Sequence, residues 1–151
     1  MVVLQQRNIS ERIQTLSTLG RIDYSDVATI TTDVSATPEE WARAIVEHAA
    51  GQFGQIFWRA IGIRLKPASE GHIGGWRIAA VDDDSIVLET AAFYAAINAV
   101  LEVGPDRVSL ALLARYDHAF ANLALPPVTL VHRRGIPKLL HAAVRHLGRR
   151  R

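Results

Sequence analysis

The strongest constraint on the fold lies in residues 93–117, which can pair as a β-hairpin in one consistent register. A turn at Gly104–Arg107 places a series of apolar residues directly opposite one another. The pairs are Val103 with Val108, Leu101 with Leu110, Ala99 with Leu112, Ile97 with Ala114, and Ala95 with Tyr116. A slip of one residue would move every side chain to the other face, so the pattern specifies one buried face.

Residues 76–92 indicate a preceding hairpin with its turn at Asp82–Asp84. This register predicts apolar or small pairs on the same inner face, namely Trp76 with Thr90, Ile78 with Leu88, and Ala80 with Ile86. Arg77 and Glu89 then face each other on the outer side, which is favourable for an exposed pair of opposite charges.

The outer face of the second hairpin, formed by residues 94–102 and 109–117, is too apolar to remain in water. We expect a partner chain or another element to cover part of it, and a homodimer through these segments is one prediction. In this register Tyr94, Glu89 and Arg115 point outward, away from any inner pocket.

The segment before the hairpins predicts a strand and two short helices. Residues 24–34 alternate and are rich in β-branched side chains, which is typical of a strand. Thr37 can cap a helix in which Pro38 takes the first position and Glu40 closes a capping box. The helical pattern is interrupted at Gly51, so two short helices are expected. Residues 1–21 are interpreted as an N-terminal extension, partly disordered or forming a short helix over residues 8–19.

A long helix is predicted over residues 127–147, entered through Pro126 and Pro127. Its apolar face is broad, as expected for a helix that lies across a sheet. Pro137 interrupts the pattern, so we expect the helix to curve after Gly135 or to split in two.

The order of these elements predicts an α+β fold and a single domain over residues 22–151. One strand, two short helices, at least four antiparallel strands and a final helix follow one another. This order is similar to the helix-grip fold of the START-like (SRPBCC) superfamily, in which a curved antiparallel sheet wraps around a long kinked C-terminal helix. The superfamily includes lipid-transfer domains, hormone binders and polyketide cyclases.

Particular phrases give a closer resemblance. They are TPEEWA at residues 37–42, GWRI at 75–78, ARYD at 114–117, and PVTLVHRR at 127–134 followed by Pro137 and Leu139–Leu140. Together they resemble a bacterial START-like family known as domain of unknown function 2867, over roughly residues 22–147. The resemblance implies the fold, and it implies no catalytic residues.

Composition excludes several classes of function. The chain has no cysteine, which excludes disulfides and thiol chemistry. Its six histidines show no HExxH motif or comparable ligand spacing, so no metal site is predicted. Gly71, Gly74 and Gly75 precede a strand rather than open a helix, which argues against a nucleotide phosphate loop. No cofactor is expected.

Charge is distributed unevenly along the chain. The net charge is +2, yet residues 118–151 carry seven basic side chains and no acidic one. Cations near the C-terminus of a helix are favoured by its dipole, so we interpret this end as helix electrostatics rather than as a nucleic-acid site. No apolar run is long enough to span a membrane, and a cytoplasmic location is predicted.

The candidate site lies between the inner sheet face and the last helix. His132 is adjacent to the inward stripe of that helix and can serve as a hydrogen-bond partner or as a general base. Arg133 and Arg134 are expected to form ion pairs with acidic residues of the body (Asp82–Asp84, Glu70 and Asp117). The other predicted pocket residues share an inward or aromatic character and are Trp58, Trp76, Thr90, Phe93, Ala95, Ile97, Ala114, Tyr116, Ile136 and Leu140.

The sequence leaves three functional interpretations open. The first is a binder that holds a small apolar molecule between the sheet and the C-terminal helix. The second is an enzyme of the cyclase or dehydratase type with His132 as its acid/base group. The third is a protein-interaction module that uses the apolar outer sheet face.

Overall fold

The computed structural model describes residues 3–60, 62–63 and 70–150, except for the side chains of residues 52, 53 and 55. These residues form an α+β fold in which a curved antiparallel sheet packs against a long C-terminal helix, consistent with a helix-grip arrangement. The elements are β1 (Val3–Gln6), α1 (Glu11–Leu16), β2 (Tyr24–Thr31), α2 (Pro38–Arg43), a π-helical segment (Ala44–Ala50), α3 (Gly51–Ala60), β3 (His72–Ile73), β4 (Trp76–Val81), β5 (Ser85–Ala92), β6 (Ala95–Val103), β7 (Arg107–Tyr116) and α4 (Ala121–Arg149).

The sheet has the strand order β1-β2-β7-β6-β5-β4-β3, and every neighbouring pair is antiparallel. All five predicted pairs of the β6–β7 hairpin are confirmed, from Val103 opposite Val108 to Ala95 opposite Tyr116. β2 joins the free side of β7, so the strand predicted near residues 24–34 extends the sheet beyond the hairpins.

The predicted register of the β4–β5 hairpin is correct only in its first part. Ile78 lies opposite Leu88 as expected, but the register then shifts, so that Val81 rather than Ala80 lies opposite Ile86. A bulge of one residue in β4 explains the shift, because it places two residues of one strand against one residue of the other. Ile86 remains fully buried in the inner core despite the shift.

The two predicted short helices are α2 and α3, joined by a π-helical segment. α2 has the expected capping box, in which Glu40 N–H donates to Thr37 Oγ1 at 3.1 Å and Thr37 N–H donates to Glu40 Oε1 at 3.0 Å. The π-helical segment ends at Gly51, whose φ of +52° suits a residue without a Cβ.

The C-terminal helix begins earlier than predicted and is not split. α4 starts at Ala121 rather than at residue 127, because the turn before it is already closed: Phe120 N–H donates to His118 Nδ1 at 3.0 Å. Pro126, Pro127 and Pro137 all lie inside the helix. Within the described residues, no helix is both long and apolar enough to cross a membrane.

The N-terminal segment covers the outer face of the sheet. Its short helix, α1, is capped by Ser10, whose Oγ accepts from Ile13 N–H at 3.2 Å. The strand β1, which the sequence did not predict, pairs with β2 at the edge of the sheet. The outer apolar cluster consists of Ile13, Val27, Val87, Val100, Ala111 and Leu113, with Ile9, Leu16, Leu19, Ile22 and Ala79 packed against it.

Polar contacts hold this segment in place. Asn98 is 1% exposed on the outer face, and its Oδ1 accepts from Thr18 N–H at 2.8 Å and from Ser17 Oγ at 3.0 Å. Arg12 forms two hydrogen bonds with the carboxylate of Asp84, at 2.6 and 2.8 Å. The apolar face that suggested a partner chain is therefore covered by the chain's own N-terminus.

Candidate functional site

The inner side of the sheet contains a partly enclosed cavity of about 80 Å³. β4–β7 form one wall, the segment from α2 to α3 forms the second, and α4 forms the third. The described lining residues are mainly small or apolar and are Ala42, Ile45, Val46, Ala50, Gly51, Gly54, Trp58, Gly74, Trp76, Leu88, Ala99, Leu101, Leu110, Ala111, Leu112, His132, Ile136 and Leu139.

Small residues and two indole rings shape this space. Trp58 on α3 meets Trp76 on β4 edge to face, with ring centroids 5.4 Å apart. Ala99 contributes only a methyl group from β6, which leaves room in front of α4. Gly74 has a φ of +55°, and a Cβ at that position would overlap the Val46 side chain, so glycine permits the close approach of this turn to the helix.

His132 is the polar side chain that α4 contributes to the cavity wall. Its Nε2 lies 3.5 Å from Asp26 Oδ1, and the two side chains are only 12% and 6% exposed. This distance allows an ion pair when the imidazole is protonated, although it is longer than a good hydrogen bond. The carboxylate therefore lies at the Nε2 edge of the ring.

Asp26 in turn binds a buried tyrosine. The Tyr24 hydroxyl donates to Asp26 Oδ2 at 2.5 Å, and the tyrosine is 7% exposed. Burial, followed by the hydrogen bond and the charge of Asp26, raises the pKa of Tyr24 far above its usual value. Tyr24 therefore remains a neutral donor over the physiological range. Thr129 of α4, 5% exposed, lies beside the same hydroxyl.

The local sequence explains why these groups meet inside the protein. In β2, Asp26 lies opposite Leu112 and alternates with Ala28 and Ile30, which belong to the inner core. Successive strand residues face opposite sides, so the acid at position 26 points inward with its apolar neighbours. The pattern 24, 26, 28, 30 was visible in the sequence, but a carboxylate in it gave no indication of its partner on α4.

Four of the predicted pocket residues line the cavity: Trp58, Trp76, His132 and Ile136. Four others, Ala95, Ile97, Ala114 and Leu140, belong to the surrounding inner core, where each is at most 3% exposed. They support the wall of the cavity without bordering it.

The edge of the predicted pocket requires corrections. Phe93 is 75% exposed and stacks on Phe120, so it is a surface residue. Tyr94, predicted to point outward, is 1% exposed in the inner core. Both errors have one cause: β5 ends at Ala92 and β6 begins at Ala95, so these two residues form a turn and do not continue the strand alternation.

Thr90 and Tyr116 lie away from the cavity centre. Thr90 is half-buried and borders a separate groove with His72 and Arg77. Tyr116 is half-buried at the rim of the inner core, where burial raises the pKa of its hydroxyl.

The described residues contain no cluster of three His, Asp or Glu side chains that would bind a metal ion. His48 and His146 stack at a centroid distance of 3.8 Å, and burial together with the adjacent His48 lowers the pKa of His146.

The predicted ion pairs of Arg133 and Arg134 with Asp82–Asp84, Glu70 or Asp117 do not form.

The fold and the cavity define a class of protein, an α+β domain with an apolar space between a curved sheet and its C-terminal helix. Comparison of the chain with protein-family models, curated proteins and solved structures finds no match.

Proposed function

We propose that this protein binds a small, mainly apolar molecule in the cavity between the sheet and α4. The observation that carries the proposal is the cavity itself: its walls are alanine, glycine, leucine and tryptophan, and His132 supplies one polar group. Binding would be driven by burial of the ligand's apolar surface, at roughly 25 cal/mol per Å², and oriented by a hydrogen bond to the imidazole.

The size of the cavity limits the ligand. Its volume of about 80 Å³ compares with roughly 150 Å³ for an engineered cavity that accepts benzene, and with about 300–1,000 Å³ for typical drug-sized sites. The cavity therefore suits a molecule of a few heavy atoms, and a six-membered ring would require its walls to move apart.

A titration with small alcohols and ketones, followed by amide NMR, tests this proposal. We expect saturable shifts at cavity residues. Ala99→Leu should abolish them by filling the space, whereas Ala96→Leu, on the other face of the same strand, should not. Shifts that never saturate, or that persist in Ala99→Leu, would contradict binding in this cavity. Native mass spectrometry of protein from its own host would reveal a co-purified ligand.

A second candidate function is acid/base catalysis on a bound ketone or hydroxyl compound. It is favoured by the buried series of Tyr24, Asp26 and His132, because a carboxylate that orients an imidazole is a common arrangement for a general base. In this case His132→Gln should keep ligand affinity but abolish turnover, and Asp26→Asn should reduce the turnover number without a comparable change in affinity. If no ketone of a panel is turned over while binding stays intact, only the binding function would remain supported.

The START-like classification and the bacterial family known as domain of unknown function 2867 remain proposals, supported by the order of elements and by the phrases at residues 37–42, 75–78, 114–117 and 127–134. We also propose a cytoplasmic location. A homodimer or an interaction module through residues 94–102 and 109–117 has lost its original support, because Val100, Ala111 and Leu113 are buried within one chain.

A further inference from the structure

A second site is suggested by an open groove of about 430 Å³ beside the edge strand β1. Residues Gln5, Gln6 and Arg7 form one side, and Leu130, Arg133, Arg134 and Pro137 of α4 form the other. Asp26, Val27 and Ala28 of β2 form the floor. Three arginines thus face a single carboxylate across a groove that shares no described lining residue with the cavity.

These arginines have no carboxylate partner. All 15 acidic side chains of the sequence lie among the described residues, and none is within 4.0 Å of a side-chain nitrogen of Arg7, Arg133 or Arg134. By contrast, Arg43 and Arg115 on other surfaces are each ion-paired with nearby acids. The positive charge of the groove is therefore not neutralised within the described part of the chain.

Arg133 also has an unsatisfied donor. Its Nε is buried and makes no hydrogen bond within the described residues. Burying a charged donor without a partner is unfavourable, so the guanidinium group of Arg133 lacks the compensation that an ion-paired arginine has. The backbone at this position is fixed, because the Gln5 side-chain amide donates to the Arg133 carbonyl at 2.6 Å.

Arg7 is held in place with its terminal nitrogens available. Its Nε donates to the Ser25 carbonyl at 3.0 Å, and its guanidinium carbon lies 4.6 Å from the centre of the Tyr24 ring. The Nη nitrogens of Arg7 form no hydrogen bond to a described residue. Of the negative groups nearby, Asp26 already accepts from the Tyr24 hydroxyl and faces His132.

We propose that this groove binds a phosphate-type oxyanion through Arg7, Arg133 and Arg134. The guanidinium group presents paired N–H donors that match the oxygens of phosphate, so Arg133 can bind through its two Nη groups. Three cations against one carboxylate leave a net positive lining that favours an anion over a cation or a neutral molecule. This site is independent of whether the cavity binds a ligand.

Isothermal titration of the full chain with inorganic phosphate, at constant ionic strength set by sodium chloride, tests the proposal. We expect saturable binding that Arg133→Gln and Arg134→Gln each weaken about tenfold or more, the usual range for a charge-assisted hydrogen bond. Arg145→Gln removes an exposed arginine of the same helix outside the groove and should leave affinity unchanged. Arg133→Lys should lose part of the affinity, because it keeps the charge but not the paired N–H donors of the guanidinium group.

A second arm distinguishes the source of the phosphate group. Vesicles of phosphatidylcholine with and without phosphatidylglycerol are sedimented with the protein. Binding of free phosphate that depends on the groove identifies a soluble ligand, and groove-dependent binding to the anionic vesicles alone identifies a lipid headgroup. Either result supports the site. Binding that is absent in both arms, or insensitive to Arg133→Gln and Arg134→Gln in folded variants checked by circular dichroism, overturns it.

Discussion

The two faces of the sheet are both buried, but they are closed in different ways. On the outer face, the N-terminal segment packs directly on Val87, Val100 and Leu113, each at most 1% exposed. On the inner face, α4 packs across the sheet but leaves a cavity beside Ala99 and Gly74. The outer face is thus filled by apolar contacts, whereas the inner face keeps an open space.

The polar groups on the two faces also differ. Asn98, on the outer face, has its amide oxygen and nitrogen bonded to Ser17 and Thr18, so it fixes the covering segment. His132, on the inner face, faces Asp26 at 3.5 Å and borders open space. A satisfied polar group stabilises a closed structure, and one beside a cavity is available to a ligand. The outer polar group thus fixes the covering segment, whereas the inner one borders the space in which we propose that a ligand binds.

The largest expected effect comes from disrupting the apolar packing on the outer face at Ile13. This residue is 4% exposed, and Ile13→Asp would place an unpaired carboxylate against the apolar cluster. We expect a loss of about 3–5 kcal/mol in the free energy of unfolding, as for other uncompensated buried charges. Urea unfolding followed by tryptophan fluorescence measures it. Gln14→Asp adds the same charge at an exposed position of α1 and should change stability little; equal losses in both variants would refute the covering role.

A second prediction compares adjacent residues of β6 that face opposite sides. Val100→Phe adds bulk to the filled outer face and should cost about 1–3 kcal/mol through overpacking. Ala99→Leu adds similar bulk beside the cavity and should leave the free energy of unfolding nearly unchanged or raised. Thermal and urea unfolding of both variants measure the difference. If Ala99→Leu were as destabilising as Val100→Phe, the inner space would not be able to accept added atoms.

A third prediction concerns the glycine that borders the inner cavity. Gly74→Ala would combine a positive φ of +55° with overlap between the new Cβ and Val46, whereas Gly71→Ala has a φ of +75° but no atom within 4 Å of its Cβ. We expect Gly74→Ala to destabilise the protein by about 1–2 kcal/mol more than Gly71→Ala.

Val46→Ala in the same background provides the control for Gly74→Ala. It removes the atoms that overlap, so part of the difference from Gly71→Ala should be recovered in urea unfolding. No recovery would mean that backbone strain alone accounts for the effect.

Much of the sheet could be predicted from the sequence because alternation fixes which residues share a face. The β6–β7 register followed from five apolar pairs, and the α2 cap followed from Thr37 and Glu40. The bulge in β4 could not be predicted, since Ala80 and Val81 are both small apolar residues and either can lie opposite Ile86.

The candidate site was less predictable because it joins residues that are distant in the sequence. His132 was identified from its place beside the apolar stripe of α4. Its partner Asp26 lies more than 100 residues away, on a strand whose place beside β7 depends on tertiary pairing. Phe93 and Tyr94 exchanged their expected environments because the alternation rule holds within a strand and not in the two-residue turn that they form.

The smallest predicted effect tests the buried polar group of the inner face through its dependence on pH. The folded structure raises the pKa of Tyr24 above the usual value of about 10, mainly by burial and also through Asp26. Folding therefore favours the protonated phenol, so its contribution to stability is present below about pH 10 and is lost as the pH rises towards the folded-state pKa.

Tyr24→Phe should cost about 1 kcal/mol near neutral pH, through the hydrogen bond to Asp26. Urea unfolding between pH 8 and 11 should then show a shallower loss of stability in the variant than in the natural chain. Some slope should remain, because burial also raises the pKa of Tyr94 and Tyr116. Identical slopes would mean that the Tyr24 hydroxyl is not held against Asp26 in solution, so the carboxylate that faces His132 would lack this hydrogen bond.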